Sequence, residues 1–240
     1  AVTGANGTVD ATALSGDLSL GTAASVTIKG ATGKNTVTTT GTATDVSVVG
    51  QNSDDTVTAS VTTGSVTAVL ADGKNTVSAT GLTSGTLVVT GGSGIDTVTA
   101  GAALTSGVIN LNLGDGANVM NLRVATDALV STLTATTGTG DDTLNFSGSL
   151  GTNDVLTWTA GAGTDTLVLA TAGADLSDAK VTLDGVEVIQ VKDAAGVAAT
   201  ISSSLLSGKT ITVKADAHTG TDTKLVVEGL SDTTTIDLST

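Results

Sequence analysis

The sequence predicts an all-β fold, a right-handed parallel β-solenoid of about ten coils, and three observations carry that reading. The first is a nine-residue phrase, Gly91-Gly92-Ser93-Gly94-Ile95-Asp96-Thr97-Val98-Thr99, which returns in altered form along the chain. Its Asp or Asn falls at 35, 55, 75, 96, 118, 142 and 165, in steps of 20, 20, 21, 22, 24 and 23 residues. The second is period-two alternation of apolar and polar residues on both sides of each Gly-rich turn, the mark of short strands. The third is composition. The 240 residues include 31 Gly and 49 Thr but no Pro, Cys or Tyr, and Trp158 and Phe146 are the sole aromatic side chains. A core built on large rings is therefore excluded, and small β-branched residues must fill the interior.

Taken in order, residues 1–25 form a divergent N-terminal coil or cap, 26–170 the regular repeats, and 171–240 divergent C-terminal coils or a cap, all within one solenoid. In the regular part each coil runs strand, turn, strand, return. Val66-Thr67-Ala68-Val69-Leu70 leads into the turn at Asn75 and Thr76-Val77-Ser78-Ala79 leaves it. Val108-Ile109-Asn110-Leu111-Asn112-Leu113 and Val119-Met120-Asn121-Leu122 flank Asn118 in the same way. Aligned repeats give an all-apolar column, Val37, Val57, Val77, Val98, Met120, Leu144 and Leu167, which must point inward, because a slip of one residue would turn Thr inward and this column into water. Two outward columns flank it: Thr36, Thr56, Thr76, Thr97, Val119, Thr143, Thr166, and Thr38, Thr58, Ser78, Thr99, Asn121, Asn145, Val168. Beyond 175, strands are expected at 186–191, 210–213, 224–227 and 235–238, with a helical turn within 198–206.

A net charge of −14 with a single arginine, Arg123, argues against nucleic acid as a partner, since phosphate contacts need Lys and Arg clusters. No run approaches 18 apolar residues, so a membrane-spanning helix is not expected. The absence of Cys fits a secreted protein that folds without disulfides.

Each Gly-rich turn brings backbone carbonyls and one carboxylate to a sharp bend, and hard oxygen ligands are what Ca2+ takes. With these residues the chain resembles the RTX family of bacterial secreted proteins, whose nonapeptides wind a β-roll around calcium, and also resembles calcium-dependent S-layer proteins. The likeness covers roughly residues 30–170 and rests on the full match at 91–99 with near matches at 137–144 and 160–167. It implies calcium as cofactor, carboxylate ligands at Asp96, Asp142 and Asp165 with Asn118 in the same row, and carbonyl contributions near Gly92, Gly94, Gly116, Gly140 and Gly163. The pattern departs from the family on one side: the second edge of each coil reads Gly81-Leu82-Thr83-Ser84-Gly85 or the like, so the implied calcium row is single. Asn replaces Asp at 35, 75 and 118. A metal-free reading stands beside this one, with Asp and Asn capping backbone amides as structural turn residues.

Catalysis finds little footing. His218 is the one histidine, Arg123 has no basic neighbour in sequence, and Trp158 alternates with Leu156 as core filler. The pairs Asp54-Asp55 and Asp141-Asp142 alternate faces and make poor acid/base couples. The expected function is structural: an S-layer or surface-filament subunit, extracellular on a bacterial cell, assembling with copies of itself and with calcium. Cell-surface polysaccharide is a further expected partner. The alternatives are an adhesin or ice-binding domain, for which Thr36/Thr38 through Thr97/Thr99 supply parallel hydroxyl rows, and a polysaccharide-acting β-helix enzyme.

Overall fold

A computed structural model describes residues 7–22, 25–40, 45–125, 130–170, 173–178, 180–192, 198–215 and 225–230. The strand expected at 235–238 and the segment 216–220 that holds His218 lie outside the described residues.

Strands alternate between two parallel sheets as the chain winds. Gly7–Asp10 begins a nine-stranded sheet, Leu18–Thr22 begins a ten-stranded one, Val26–Lys29 returns to the first, and the alternation continues to Thr166–Leu169. Among the described residues every inter-strand pairing between coils is parallel. This is a β-solenoid of about nine turns, close to the ten expected.

The apolar column lies in the ten-stranded sheet in continuous register, Val37 to Val57, Val77, Val98, Met120, Leu144, Leu167 and then Ile189. All eight side chains are buried. Each contributes about 1.5–3 kcal/mol by leaving water. Opposite them the nine-stranded sheet presents Val48, Ala68, Val89, Leu111, Ala135, Trp158 and Leu183 in register. The small Ala135 lies beside Trp158, whose ring is fully buried and whose Nε1–H reaches Thr137 Oγ1 at 3.4 Å. The outward Thr columns are half-buried, as a close-packed ladder face should be. Val168 differs. It sits on the outward column yet is buried, held between the longer Asn145 and Gln190 of the neighbouring coils.

Toward the C-terminus the cross-section changes. Asp175–Leu176, Ala199–Ser202 and Leu225–Glu228 form a third parallel sheet, so the later coils have three strand-bearing sides. The helical turn expected within 198–206 is narrower, a strand at Ala199–Ser202 followed by one 3-10 turn, Ser203–Leu205, capped by Ser202.

Glycine is obligatory where turns stack. Gly94, at φ +132°, faces the turn below so closely that an added Cβ would lie 2.2 Å from the Gly73 carbonyl oxygen. Gly116 would meet the Gly94 carbonyl in the same way.

Candidate functional site: the Asp and Asn column at the turns

The sixth residue of each repeat ends its turn and points inward. Asn35, Asp55, Asn75, Asp96, Asn118, Asp142 and Asp165 are all buried, none exposing more than 3 % of its surface. Four glycine-rich residues cannot bend this sharply and also bond their own amides, so the strand that follows each turn starts with an N–H that needs an acceptor. The next coil supplies it. Asn35 N–H donates to Asp55 Oδ1 at 2.8 Å, Asp55 N–H to Asn75 Oδ1 at 3.0 Å, and Asn75 N–H to Asp96 Oδ1 at 3.0 Å. Asp96 N–H donates to Asn118, Asn118 N–H to Asp142, and Asp142 N–H to Asp165, at 2.7–2.9 Å. The ladder ends on a residue that the turn motif does not mark: Asp165 N–H donates to Glu187 Oε2 at 2.9 Å. Glu187 stands immediately before the strand Val188–Val191, and that placement, rather than any Gly-x-Asp phrase, is the signal in the sequence.

The two residue types then diverge. In the Asn turns the side-chain amide also donates to two carbonyls of its own turn: Asn75 Nδ2 to Ala71 O at 3.2 Å and Gly73 O at 3.3 Å, Asn118 Nδ2 to Gly114 O at 3.1 Å and Gly116 O at 2.9 Å. Asn35 makes the same pair with Ala31 and Gly33. An ionised Asp has no hydrogen to give. Accordingly Asp55, Asp142 and Asp165 each keep one oxygen, Oδ2, buried without a hydrogen-bond partner. Burial pushes all four Asp carboxyls up, to about 6 at Asp96 and at Asp165, where the charges of Asp142 and Glu187 add to the effect.

A second, exposed column runs beside the first in the opposite sense. Asp17, Asp54, Asp72, Asp115 and Asp141 accept the N–H of Lys34, Lys74, Ser93, Thr139 and Thr164 of the following coil, at 2.7–3.0 Å. Hydrogen bonds from Ser93 and Thr139 hold Asp72 and Asp115 below the usual carboxylate range. Asp141 is exposed and Asp142 buried, as alternation requires.

The structure brings the residues singled out in the sequence, Gly92, Gly94 and Asp96, Gly140 and Asp142, and Gly163 and Asp165, together in three of these turns. Gly116 and Asn118 belong to a turn in which the carbonyls of Gly114 and Gly116 already accept from the Asn118 amide. Among the described residues no three acidic or His side chains converge as a ready-made metal cluster. At Asp55, Asp142 and Asp165 the donor set is nonetheless chemically suited to a hard cation: an orphaned carboxylate oxygen in a turn whose carbonyls lack the amide donor of the Asn turns.

Asp154, on the opposite edge, escaped the repeat pattern. It is buried, and it accepts from the N–H of Ser131 in the coil before and from Gly151 N–H of its own turn. That edge is otherwise sealed by Leu82 and Leu104, both fully buried. Comparison of the chain with protein-family models, with curated proteins and with solved structures returned no match.

Proposed function

We propose that this chain is a structural solenoid of a bacterial cell surface, a subunit or segment of an S-layer or filament that assembles with copies of itself when calcium occupies its Asp turns. The observation that supports it most is the ladder from Asn35 to Glu187: one buried acceptor per coil fixes the rise and register of the whole stack, which suits a stiff spacer. Calcium fits the same reading. It would satisfy the orphaned oxygens of Asp55, Asp142 and Asp165 and would screen the −14 charge that keeps copies apart. Negative-stain microscopy and sedimentation, with millimolar calcium and with chelator, test this. Ordered sheets or filaments that disperse on chelation are expected, and a protein that stays monomeric at high concentration in calcium would overturn the proposal.

A second reading has an observation of its own. The Thr rows lie in register on the ten-stranded sheet, Thr36, Thr56, Thr76, Thr97 beside Thr38, Thr58, Ser78, Thr99, and such regular hydroxyl spacing suits an ice-binding face. It predicts that the monomer shapes ice crystals and that Thr76→Lys abolishes the effect.

A further inference from the structure

The ten-stranded sheet carries an open groove of about 320 Å³ on its outer face, and the chain's only arginine lines it together with Lys192. The two cations are 69 residues apart in sequence but belong to one column. Arg123 is in register with Ser147; Phe146 pairs with Leu169 and Leu169 with Val191, which places Ala170 next and Lys192 after it. Three strand spacings separate them, about 14 Å along the rod. Both side chains are exposed, and the small Ser147 and Ala170 between them leave the groove unfilled.

Neither cation is used by the fold as described. Among the described residues the ion pair present is Lys29 with Asp10, at the other end of the molecule. Among the described residues neither cation has a carboxylate partner, which is conspicuous on a chain of net charge −14. The groove floor beside it is polar and ordered: Asn145 Nδ2 donates to Asn121 Oδ1 at 3.0 Å and Asn121 Nδ2 to Thr99 Oγ1 at 3.3 Å. Each amide has a second hydrogen, and Asn145 Oδ1 has its lone pairs, so donors and acceptors are presented on two adjacent coils before the column turns apolar at Val168.

We infer that this groove binds an acidic polysaccharide along the solenoid axis, its carboxylates meeting Arg123 and Lys192 and its hydroxyls meeting the Asn121–Asn145 ladder. A chain-like ligand fits because the recognition groups are spread along the rod, the amides on adjacent coils and the cations three strand spacings apart, rather than converging on a point. A glycan fits because hydroxyls both donate and accept, as the carboxamide row requires.

The test is calorimetric titration with an oligogalacturonate of defined length, a neutral glucan oligomer of equal length, and inorganic phosphate, each in calcium and in chelator. Binding of the oligogalacturonate alone is expected, weakening as salt is raised. Arg123→Gln and Lys192→Gln should each lower affinity about tenfold, the scale of one charge-assisted contact, and Ala170→Glu, which sets a carboxylate between the cations, should abolish binding. These positions are on the surface, so melting curves should match wild type. No binding of the oligogalacturonate, equal binding of the neutral glucan, phosphate bound as tightly as the polymer, or an unaltered Arg123→Gln/Lys192→Gln double variant would each overturn the inference. Binding that persists in chelator separates this site from the calcium-dependent assembly, so either can fail without the other.

Discussion

The turns ending at Asn75 and Asn118 and those ending at Asp142 and Asp165 have the same backbone task, the same buried position and the same acceptor role toward the coil before. They differ by one group. The Asn amide donates to two carbonyls of its own turn, whereas the Asp oxygen in its place donates nothing and stays unpartnered. The Asn turns are thus complete as built, and the Asp turns are complete only with a proton or a cation. One atom's difference, repeated down a column, divides the rod into self-sufficient coils and conditional ones.

The largest effect should come from breaking a complete turn. Asn75→Ala removes the acceptor for Asp55 N–H and the donor to Ala71 and Gly73, leaving one buried N–H and two half-buried carbonyls without their partner. At about 1–3 kcal/mol for each group, a loss of about 3 kcal/mol or more is expected in denaturant melts, in calcium and chelator alike. A variant as stable as wild type would show that the ladder does not hold the coils.

Next comes the conditional class. A cation bound only by the folded protein adds about 2.7 kcal/mol at a hundred times its dissociation constant, so calcium should raise the melting temperature and chelator lower it. Asp142→Ala should remove most of the difference and Asn35→Ala little of it. If calcium has no effect on wild type, or the same effect on both variants, the division by residue type is wrong as an account of metal binding.

A smaller and more diagnostic change converts one class into the other. Asp142→Asn keeps the acceptor for Asn118 N–H and adds an amide that can donate to the carbonyls of its own turn. In chelator it should be more stable than wild type by about 1 kcal/mol, and less responsive to calcium. Asp165→Asn should behave likewise and also relieves repulsion with Asp142 and Glu187. Destabilisation in chelator would mean that the Asp turns are already satisfied.

The period, the inward column from Val37 to Leu167 and the position of every Asp turn were legible in the sequence, because a solenoid repeats its side-chain pattern once per coil and the turn needs Gly at fixed offsets. What the sequence left open was direction. Spacing locates Asp96 and Asn118 at equivalent bends, but only coordinates reveal that their side chains turn inward to the coil before, while Asp72 and Asp115 turn outward to the coil after. Glu187 and Asp154 were not legible because their roles follow from stacking neighbours, not from a Gly-rich phrase. The Arg123–Lys192 pairing was hidden for the same reason: register across three coils is invisible to a reading of adjacent residues.

A pH dependence follows as well, and its sign separates the two columns. Asp96 and Asp165 have folded values near 6, above the ordinary 3.8, so the fold favours their protonated form. Their contribution is full below about pH 4 and is lost as pH rises through 6. Asp72 and Asp115 are shifted down, so theirs is present above that range and is lost as pH falls below it. In chelator the melting temperature should therefore rise on acidification from pH 7 to 5 and fall again at lower pH. Calcium, which needs the ionised carboxylates, should flatten or reverse the upper limb by holding the Asp turns closed at pH 7. The Asp96→Asn/Asp165→Asn double variant should lose much of the gain between pH 7 and 5 while keeping the acid loss. A wild-type melting temperature in chelator that only falls from pH 7 downward would show that the buried carboxylates are already paired when ionised, and the contrast between Asn and Asp turns would lose its energetic basis.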